Sequence, residues 1–427
     1  MGIIYNFLIR VHWFAIFLAS FFNSKAKLWI VGRRGWKQNL PEVHLSDELI
    51  WFHCASLGEF DQGLPVMREI KSTNPSTKIL VTFFSPSGML HYTKREHDVD
   101  YVCYLPIDLP SNVHFFLNHF SPVKIFIVKY EFWANFIEGA QVKGIPVYSL
   151  CSNFREDQHF FKWYGFFFRN VLRRITYFFV QTQTSVRLLN SIGIENVMEI
   201  GDTRFDNVIF NKNCFTKQIN SGIVNSDWEK IRNFLQGDKA IIIGSSWPKE
   251  EELIIPFIVS NPDYKFILAP HDISEKHILK IKKSLANKAI RFSEFEEYSL
   301  ANCLILDTIG HLTKAYYFGK LAIVGGGFSG NLHNILEPVA FGLPVLIGPE
   351  HSRFPEAKLF LEKGIAFEFK KTEDIELHVE KIMENLKFLS KKAEEIMQSN
   401  LGASKKINNL SIAKSIELIS IASKKNI

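Results

Sequence analysis

Only five of the 427 residues are cysteine (Cys54, Cys103, Cys151, Cys214 and Cys303), and no pair stands in a CxxC spacing. That scarcity excludes a disulfide framework and a cysteine-held structural zinc, and it points to a reducing compartment. No His/Cys/Asp cluster has metal-ligand spacing, so no metal is expected. Acidic residues are missing from the first 41 positions, where Arg10, Lys25, Lys27, Arg33, Arg34 and Lys37 carry the whole net charge of +6. The rest of the chain balances, which argues against a generally basic nucleic-acid binder. Internal repeats and low-complexity segments are also missing. No basic segment precedes the apolar run Ile3–Phe22 and no small-residue cleavage site follows it, so a removable signal peptide is not expected.

What is present begins with that apolar run, about the length needed to span a bilayer. Arg10 would cost roughly 2.5–3.5 kcal/mol at a helix centre. Asn6, Arg10 and Trp13 share one helical face, so a helix lying in the interface is equally open. In either geometry the flanking Lys/Arg cluster suits an anionic cytoplasmic leaflet. Membrane association is the expectation, and a buried first helix of a soluble fold is the alternative.

Beyond the run, apolar strands alternate with helical patterns. Strands are expected at Leu49–His53, Lys78–Phe84, Tyr101–Leu105, Lys124–Val128, Pro146–Leu150 and Thr176–Val180. A second set comprises Ala240–Ile243, Lys265–Leu268, Leu304–Leu306, Leu321–Val324 and Val345–Ile347. Such alternation predicts an α/β fold of doubly wound parallel sheets, with ligands at the C-terminal ends of the strands. The expected division is an anchor helix over 1–25, a Rossmann-like acceptor domain over 26–207 and a linker over 208–236. A second Rossmann-like, nucleotide-sugar domain follows over 237–403, and a helix over 404–427. Two such halves with a cleft between them form the GT-B architecture of many nucleotide-sugar glycosyltransferases; from pattern alone a sugar-nucleotide epimerase fits too.

The stretch Leu321–Pro349 draws the most attention: a strand, then Gly325, Gly326 and Gly327, then Asn331, His333 and Asn334, then a helix expected to start near Asn334 and carry Glu337. Glycine loops at helix N-termini cradle anions; an ordinary βα turn is the alternative. Glu59, in the first turn of a helix after Ser56–Leu57–Gly58, is placed to accept a proton from an incoming hydroxyl, or to complete a capping box with Ser56. Arg155 and Arg204 follow strand ends and suit carboxylate or phosphate recognition. The stretch His159–Ile175 reads as one aromatic-rich helix that could dock on a membrane or pack on the sheet. His97–Asp98–Val99–Asp100 contains a DxD, but ahead of a strand, and reads as a loop.

Taken in order, HCASLGEF (53–60), FFSPSG (83–88), YEFWAN (130–135), SNFR (152–155), GDTRFD (201–206), GSSW (244–247), APH (269–271), DTIG (307–310) and GGGFSGNLHNILEP (325–338) resemble the 3-deoxy-D-manno-octulosonic acid (Kdo) transferases acting on lipid A precursors. The resemblance covers nearly the whole chain. It implies a metal-independent, inverting GT-B enzyme, without cofactor, that moves Kdo from CMP-Kdo to the lipid A precursor lipid IVA at the cytoplasmic face of the inner membrane. Its implied partners are that donor, that acceptor and inner-membrane lipids. It implies Glu59 as catalytic base, with Arg204 and the position of Lys129 serving the transition state. It implies CMP contacts at Pro270, His271, Ile309, Gly310, His311, Asn334, Ile335, Leu336 and Glu337. Further substrate contacts are expected at Ser56, Gly58, Arg155, Ser246, Gly326 and His333. The chain departs from the family where Lys129 replaces a frequent acid, where His271–Asp272 replaces an Arg–His pair, where His311 replaces a usual Glu, and where Pro248 replaces a common His. A GT-B enzyme using another sugar nucleotide such as UDP-GlcNAc, or a non-catalytic membrane-bound nucleotide-binding protein, are the alternatives.

Overall fold

The computed structural model describes residues 2–44, 46–222, 226–286 and 288–425, with only the helical backbone described for 416–425. The chain divides into two units, Met1–Asn207 with Gly402–Ile427, and Val208–Leu401.

In the first unit seven strands form one parallel sheet: β1 (Leu49–Cys54), β2 (Lys78–Phe83), β3 (Tyr101–Tyr104), β4 (Lys124–Val128), β5 (Val147–Ser152), β6 (Tyr177–Val180) and β7 (Val197–Glu199). Their order is β3-β2-β1-β4-β5-β6-β7. Both faces of β1 are covered, because successive side chains leave a strand on opposite sides. Trp51 packs in one apolar core with Ile125, Ile127 and Phe136. Phe52 and Cys54 pack in the other with Phe60, Val81 and Phe126. The strand order reverses between β1 and β4, and a switch point of this kind opens a crevice at the strands' C-terminal ends. Helix α1 (Gly2–Ala19), helix α2 (Ser24–Val31) and helix α3 (Leu57–Thr73) belong to this unit.

The second unit repeats the plan with β8 (Ala240–Ser246), β9 (Phe266–Pro270), β10 (Ala289–Arg291), β11 (Cys303–Ile305), β12 (Gly319–Val324), β13 (Val345–Ile347) and β14 (Ala366–Glu368). The order is β10-β11-β9-β8-β12-β13-β14, all parallel, with the reversal between β8 and β12. β7, β10 and β14 escape the sequence reading because each is only three residues long and ends on a charged residue that is not buried, whereas the equally short β11 and β13 are apolar and buried throughout.

The stretch 208–236, expected as a linker without strands, is largely helical, occupied by the rest of helix Arg204–Asn220 and by helix Ser226–Leu235. His159–Ile175 is not one helix: a 3₁₀ turn at His159–Phe161 gives way to helix Phe166–Leu172. Gly165 sits at the break, where a Cβ would lie 2.1 Å from the His159 carbonyl oxygen. Arg33 leaves the basic cluster, since it is buried: it donates to the carbonyls of Leu105, Trp29 and Phe84, and its guanidinium lies 3.9 Å from the Trp29 ring centre. The DxD lies in a loop ahead of β3, as expected, with Asp100 accepting from Ile79 N and pairing with Lys71 at 2.7 Å and Lys78 at 3.1 Å.

Helix Ala403–Lys425 closes the first unit. Lys124 Nζ donates to Ser411 Oγ at 3.2 Å, and Asn408 Nδ2 donates to Thr73 Oγ1 at 3.1 Å. The Asp206 carboxylate accepts from Gly402 N at 2.7 Å and Ser404 N at 2.8 Å, capping this helix from far away in sequence. Asp206→Ala strips two donors of a charged acceptor, so the denaturation midpoint of the first unit should fall by an amount equivalent to about 2 kcal/mol. An unchanged midpoint in a urea titration would show that the cap contributes nothing.

Candidate active site

At the first switch point β1 runs out through Ala55 and Ser56 into α3. Ser56 is the N-cap but makes no side-chain cap bond, and Glu59 does not reach back to the Ser56 N–H. The Glu59 Oε2 instead accepts from Ala55 N, so the capping box is not formed. Burial dominates the electrostatics of Glu59 and raises its pKa to about 7; the Ala55 N–H opposes the rise, the Glu131 carboxylate adds to it, and the Lys129 ammonium subtracts. Gly58 faces open space, with no atom within 4 Å of the point that a Cβ would occupy.

β4 leads to the other side of the same crevice. Lys129 adopts φ +63°, a left-handed conformation rare for a side-chain-bearing residue. Its backbone is fixed on both sides, its N–H donating to Leu150 O at 2.8 Å and its carbonyl accepting from Ser152 Oγ at 2.7 Å. Strain of this kind persists where surrounding bonds over-determine it. Glu131 follows two residues on, its Oε2 3.8 Å from His53 Nε2. The Tyr130 hydroxyl bonds the Asn153 carbonyl and accepts from Asn153 N. Arg155 lies beyond, exposed, with Asp157 at 3.4 Å. Arg204 opens its helix with its guanidinium on Asp202 at 2.6 Å. Glu59, Lys129, Ser56 and Gly58 therefore gather at the strand ends, with Arg155 on the rim.

In the second unit the glycine loop is not the anion cradle its sequence predicts. The buried Glu250 carboxylate fills it: Oε1 accepts from Gly326 N at 2.8 Å and Phe328 N at 3.3 Å. The Gly325 N–H goes to Gly244 O. The helix expected to start near Asn334 begins at Leu336 and carries Glu337 in its first turn, but it has only five residues. Gly326 N is therefore no free donor. Close packing explains the glycines, because a Cβ at Gly325 would lie 2.2 Å from Ser245 O and one at Gly327 2.5 Å from Gly348 N.

Around this filled loop stand aromatic and polar groups. His271 stacks on Trp247 with ring centres 4.5 Å apart and planes 12° off parallel. Trp247 Nε1 donates to His333 Nε2 at 3.1 Å. An indole can only donate, so it favours neutral His333, and burial pushes that imidazole below its ordinary value in the same direction. Ser246 Oγ donates to Glu251, which also meets His277 Nε2 at 3.1 Å. Pro270 ends β9 beside this group. Glu337 accepts from Asn334 Nδ2 at 3.0 Å and Thr313 Oγ1 at 2.8 Å. Ile335 and Leu336 are buried, Ile309 is exposed, and Gly310 takes φ +101° ahead of His311. His311 packs its ring 4.7 Å from Phe292 and lies 3.7 Å from Asp227.

Comparison with known proteins decides the family. A family model described as 3-deoxy-D-manno-octulosonic-acid transferase (kdotransferase) matches residues 31–207. The 3-deoxy-D-manno-octulosonic acid transferase of Aquifex aeolicus is 30% identical over 329 residues, 75% of this chain and 82% of that protein. The chain belongs to the Kdo transferase family. The Haemophilus influenzae transferase is 26% identical over 379 residues, 84% of this chain and 86% of its own. Among solved structures, the Neisseria meningitidis UDP-GlcNAc 2-epimerase aligns with a TM-score of 0.59 at 16% identity, covering 88% of this chain and 99% of its own. Acinetobacter baumannii MurG aligns at 0.50 and 12% identity, covering 85% and 99%. At such identities these two show the fold alone, and that fold is GT-B.

In this Kdo transferase, sequence reasoning places Glu131 among the polar residues at the strand ends but misses Trp247, Glu250 and His53 as parts of the two strand-end groups. Trp247 stands inside the GSSW motif; a large aromatic just past a buried strand was the available signal.

Because Glu59 holds its proton more tightly folded than in its ordinary state near 4.5, its contribution to stability is fully present below about 4.5 and is lost as pH rises through about 7. Glu59→Gln should therefore gain in melting temperature over wild type on going from about pH 5 to about pH 8. A difference that stays flat, or runs the other way, in paired thermal melts would contradict the burial of this carboxyl.

Proposed function

We propose that this chain transfers Kdo from CMP-Kdo to a lipid A precursor, lipid IVA, by an inverting displacement with Glu59 as general base. The observation that carries the reading is Glu59 itself, a carboxyl at a switch point whose pKa burial and Glu131 raise to about 7, so that its carboxylate is a stronger base than an ordinary one. A base poised near the working pH is the most effective proton acceptor. The acceptor hydroxyl gives its proton to the Glu59 carboxylate while its oxygen bonds to the anomeric carbon of Kdo. The bond from that carbon to the CMP phosphate oxygen breaks, and its electron pair leaves with CMP.

The family resemblance and the side chains present support the remaining roles. Lys129 and Arg204 are proposed to balance negative charge developing in the transition state, Lys129 doing so as a cation where the family often has an acid. His271 on its Trp247 platform, Pro270, the Ile309–His311 turn and the Asn334–Glu337 segment are proposed to hold CMP. Glu337 suits the ribose hydroxyls, which would compete with Thr313 and Asn334 for its oxygens. Ser56, Gly58, Arg155, Ser246 and His333 are proposed substrate contacts. Gly326 leaves this set as a phosphate donor, its N–H being taken by Glu250.

The acceptor is a lipid, and α1 fits a membrane location. It is long and apolar enough to cross a bilayer, and none of it is buried. Tyr5 donates to Asp108 at 2.7 Å and Asn6 accepts from Asn135 at 2.8 Å, holding one face to the first unit. Ile3, Phe7, Phe14 and Phe22 are left exposed. Phe167 lies 5.3 Å from Tyr5, and in the same stretch of sequence Trp163, Tyr164 and Phe166 are exposed as well. We place this surface against the cytoplasmic leaflet of the inner membrane, with Lys25, Lys27, Arg34 and Lys37 toward anionic headgroups.

Membranes carrying the wild-type chain, given CMP-Kdo and a tetra-acylated lipid A precursor, should yield a Kdo-bearing product by mass spectrometry. Glu59→Gln should lower kcat by at least about 100-fold, and wild-type kcat/KM should fall below a midpoint near 7. Transfer from UDP-GlcNAc in place of CMP-Kdo would favour another donor. No transfer, or full activity in Glu59→Gln, would sink the mechanism.

A further inference from the structure

Against one face of the first sheet, next to the Glu59 strand end, lies a small space that the proposed reaction does not use. His53, Glu131, Trp51 and Trp133 line it together with Phe136 and five aliphatic side chains, and it measures about 10 Å³, room for the centre of one water. Three polar atoms of its lining residues are buried without a hydrogen-bond partner among the described residues: His53 Nε2, Glu131 Oε2 and Trp133 Nε1. His53 itself is only 2% exposed. Unmet buried polar groups are costly, and a shared water is the usual remedy.

The bonding pattern gives each atom a role. Trp51 Nε1 donates to Thr82 Oγ1 at 2.8 Å, and Thr82 Oγ1 lies 2.9 Å from His53 Nδ1. The β1–β2 register sets His53 directly beside Thr82. The indole can only donate, and His53 Nδ1 is the other hydrogen-bond partner of Thr82 Oγ1 among the described residues, so the arrangement that leaves no buried hydroxyl proton unmet has Thr82 donating to His53 Nδ1. A neutral His53 then carries its proton on Nε2. The cavity is thus walled by two N–H donors, His53 Nε2 and Trp133 Nε1, and one acceptor, Glu131 Oε2. A water satisfies all three, accepting twice through its lone pairs and donating once. The 3.8 Å from His53 Nε2 to Glu131 Oε2 is too long for a direct bond and short enough for one water set to the side.

We propose that a single water occupies this cavity, joins His53 and Trp133 to Glu131, and so makes Glu131 a positioning residue for Glu59. The second half rests on the reading of Glu59 as base. A relay then runs from Trp51 through Thr82, His53 and the water to a fixed Glu131 carboxylate, whose charge discourages ionisation of Glu59. The groups acting on Glu59 are Glu131 on one side of that balance and Lys129 with the Ala55 N–H on the other; Tyr130 and the Cys54 thiol are near enough to respond to its charge.

Two measurements test this on the full chain. A high-resolution crystal structure should show one water within hydrogen-bond reach of all three atoms, and a dry cavity overturns the site. In the isosteric Glu131→Gln variant the acidic midpoint of kcat/KM should move down by on the order of one pH unit, with the rate at high pH held within a few-fold. Loss of rate at every pH with an unmoved midpoint would mean a merely structural residue and overturn the positioning role. Full activity in Glu59→Gln would strike the base reading alone, since the water is observed independently of turnover.

Discussion

A carboxylate carried to the end of a buried parallel strand must collect donors or keep a proton, and this molecule uses both solutions. Glu250 and Glu59 each stand early in the helix that follows the strand at their unit's switch point. Glu250 collects donors, its Oε1 held by two backbone N–H groups of a loop that would otherwise leave them unmet. Glu59 has the Ala55 N–H and, in place of further donors, the like charge of Glu131. Burial is common to the two; Glu250 is tied into the backbone of its loop, while Glu59 is a group that can exchange a proton near neutrality.

The same accounting explains other features of the site. Left-handed Lys129 is tolerated because Leu150 and Ser152 bind its backbone from the neighbouring strand. Buried Arg33 needs no carboxylate, because three carbonyls and a Trp29 face satisfy its donors and its plane. Its place in the core pins α2 to the sheet, so only part of the N-terminal positive charge remains for a lipid surface.

Much of this was legible in the sequence. Alternating apolar runs marked the two sheets because buried parallel strands read as continuous apolar segments. Glu59 could be singled out because Ser56–Leu57–Gly58 announces a helix start. The glycine loop misled: its three glycines are needed for close backbone contact, and the carboxylate that occupies its N–H groups lies 76 residues earlier than Gly326, a pairing no local pattern reveals. The unbroken helix expected at His159–Ile175 failed for a related reason, since aromatic spacing suggested a period while Gly165, pressed against the His159 carbonyl, decided the backbone. His53 and Glu131 meet only through the pairing of β1 with β4, which tertiary structure alone supplies.

The chain leaves the first unit at Asn207 and returns to it at Gly402, where Asp206 receives it. During synthesis the seven strands of the first sheet are therefore complete while the helix that covers α3 and the ends of β4 and β5 is still unmade. The second unit, continuous in sequence, can fold as soon as it emerges. The first must wait with Lys124 and Tyr148 uncovered until everything between has been translated. Maturation of the unit proposed to hold the base is thus tied to completion of the unit proposed to hold the donor, so that a chain arrested partway would carry the strand-end carboxyl on a sheet not yet closed.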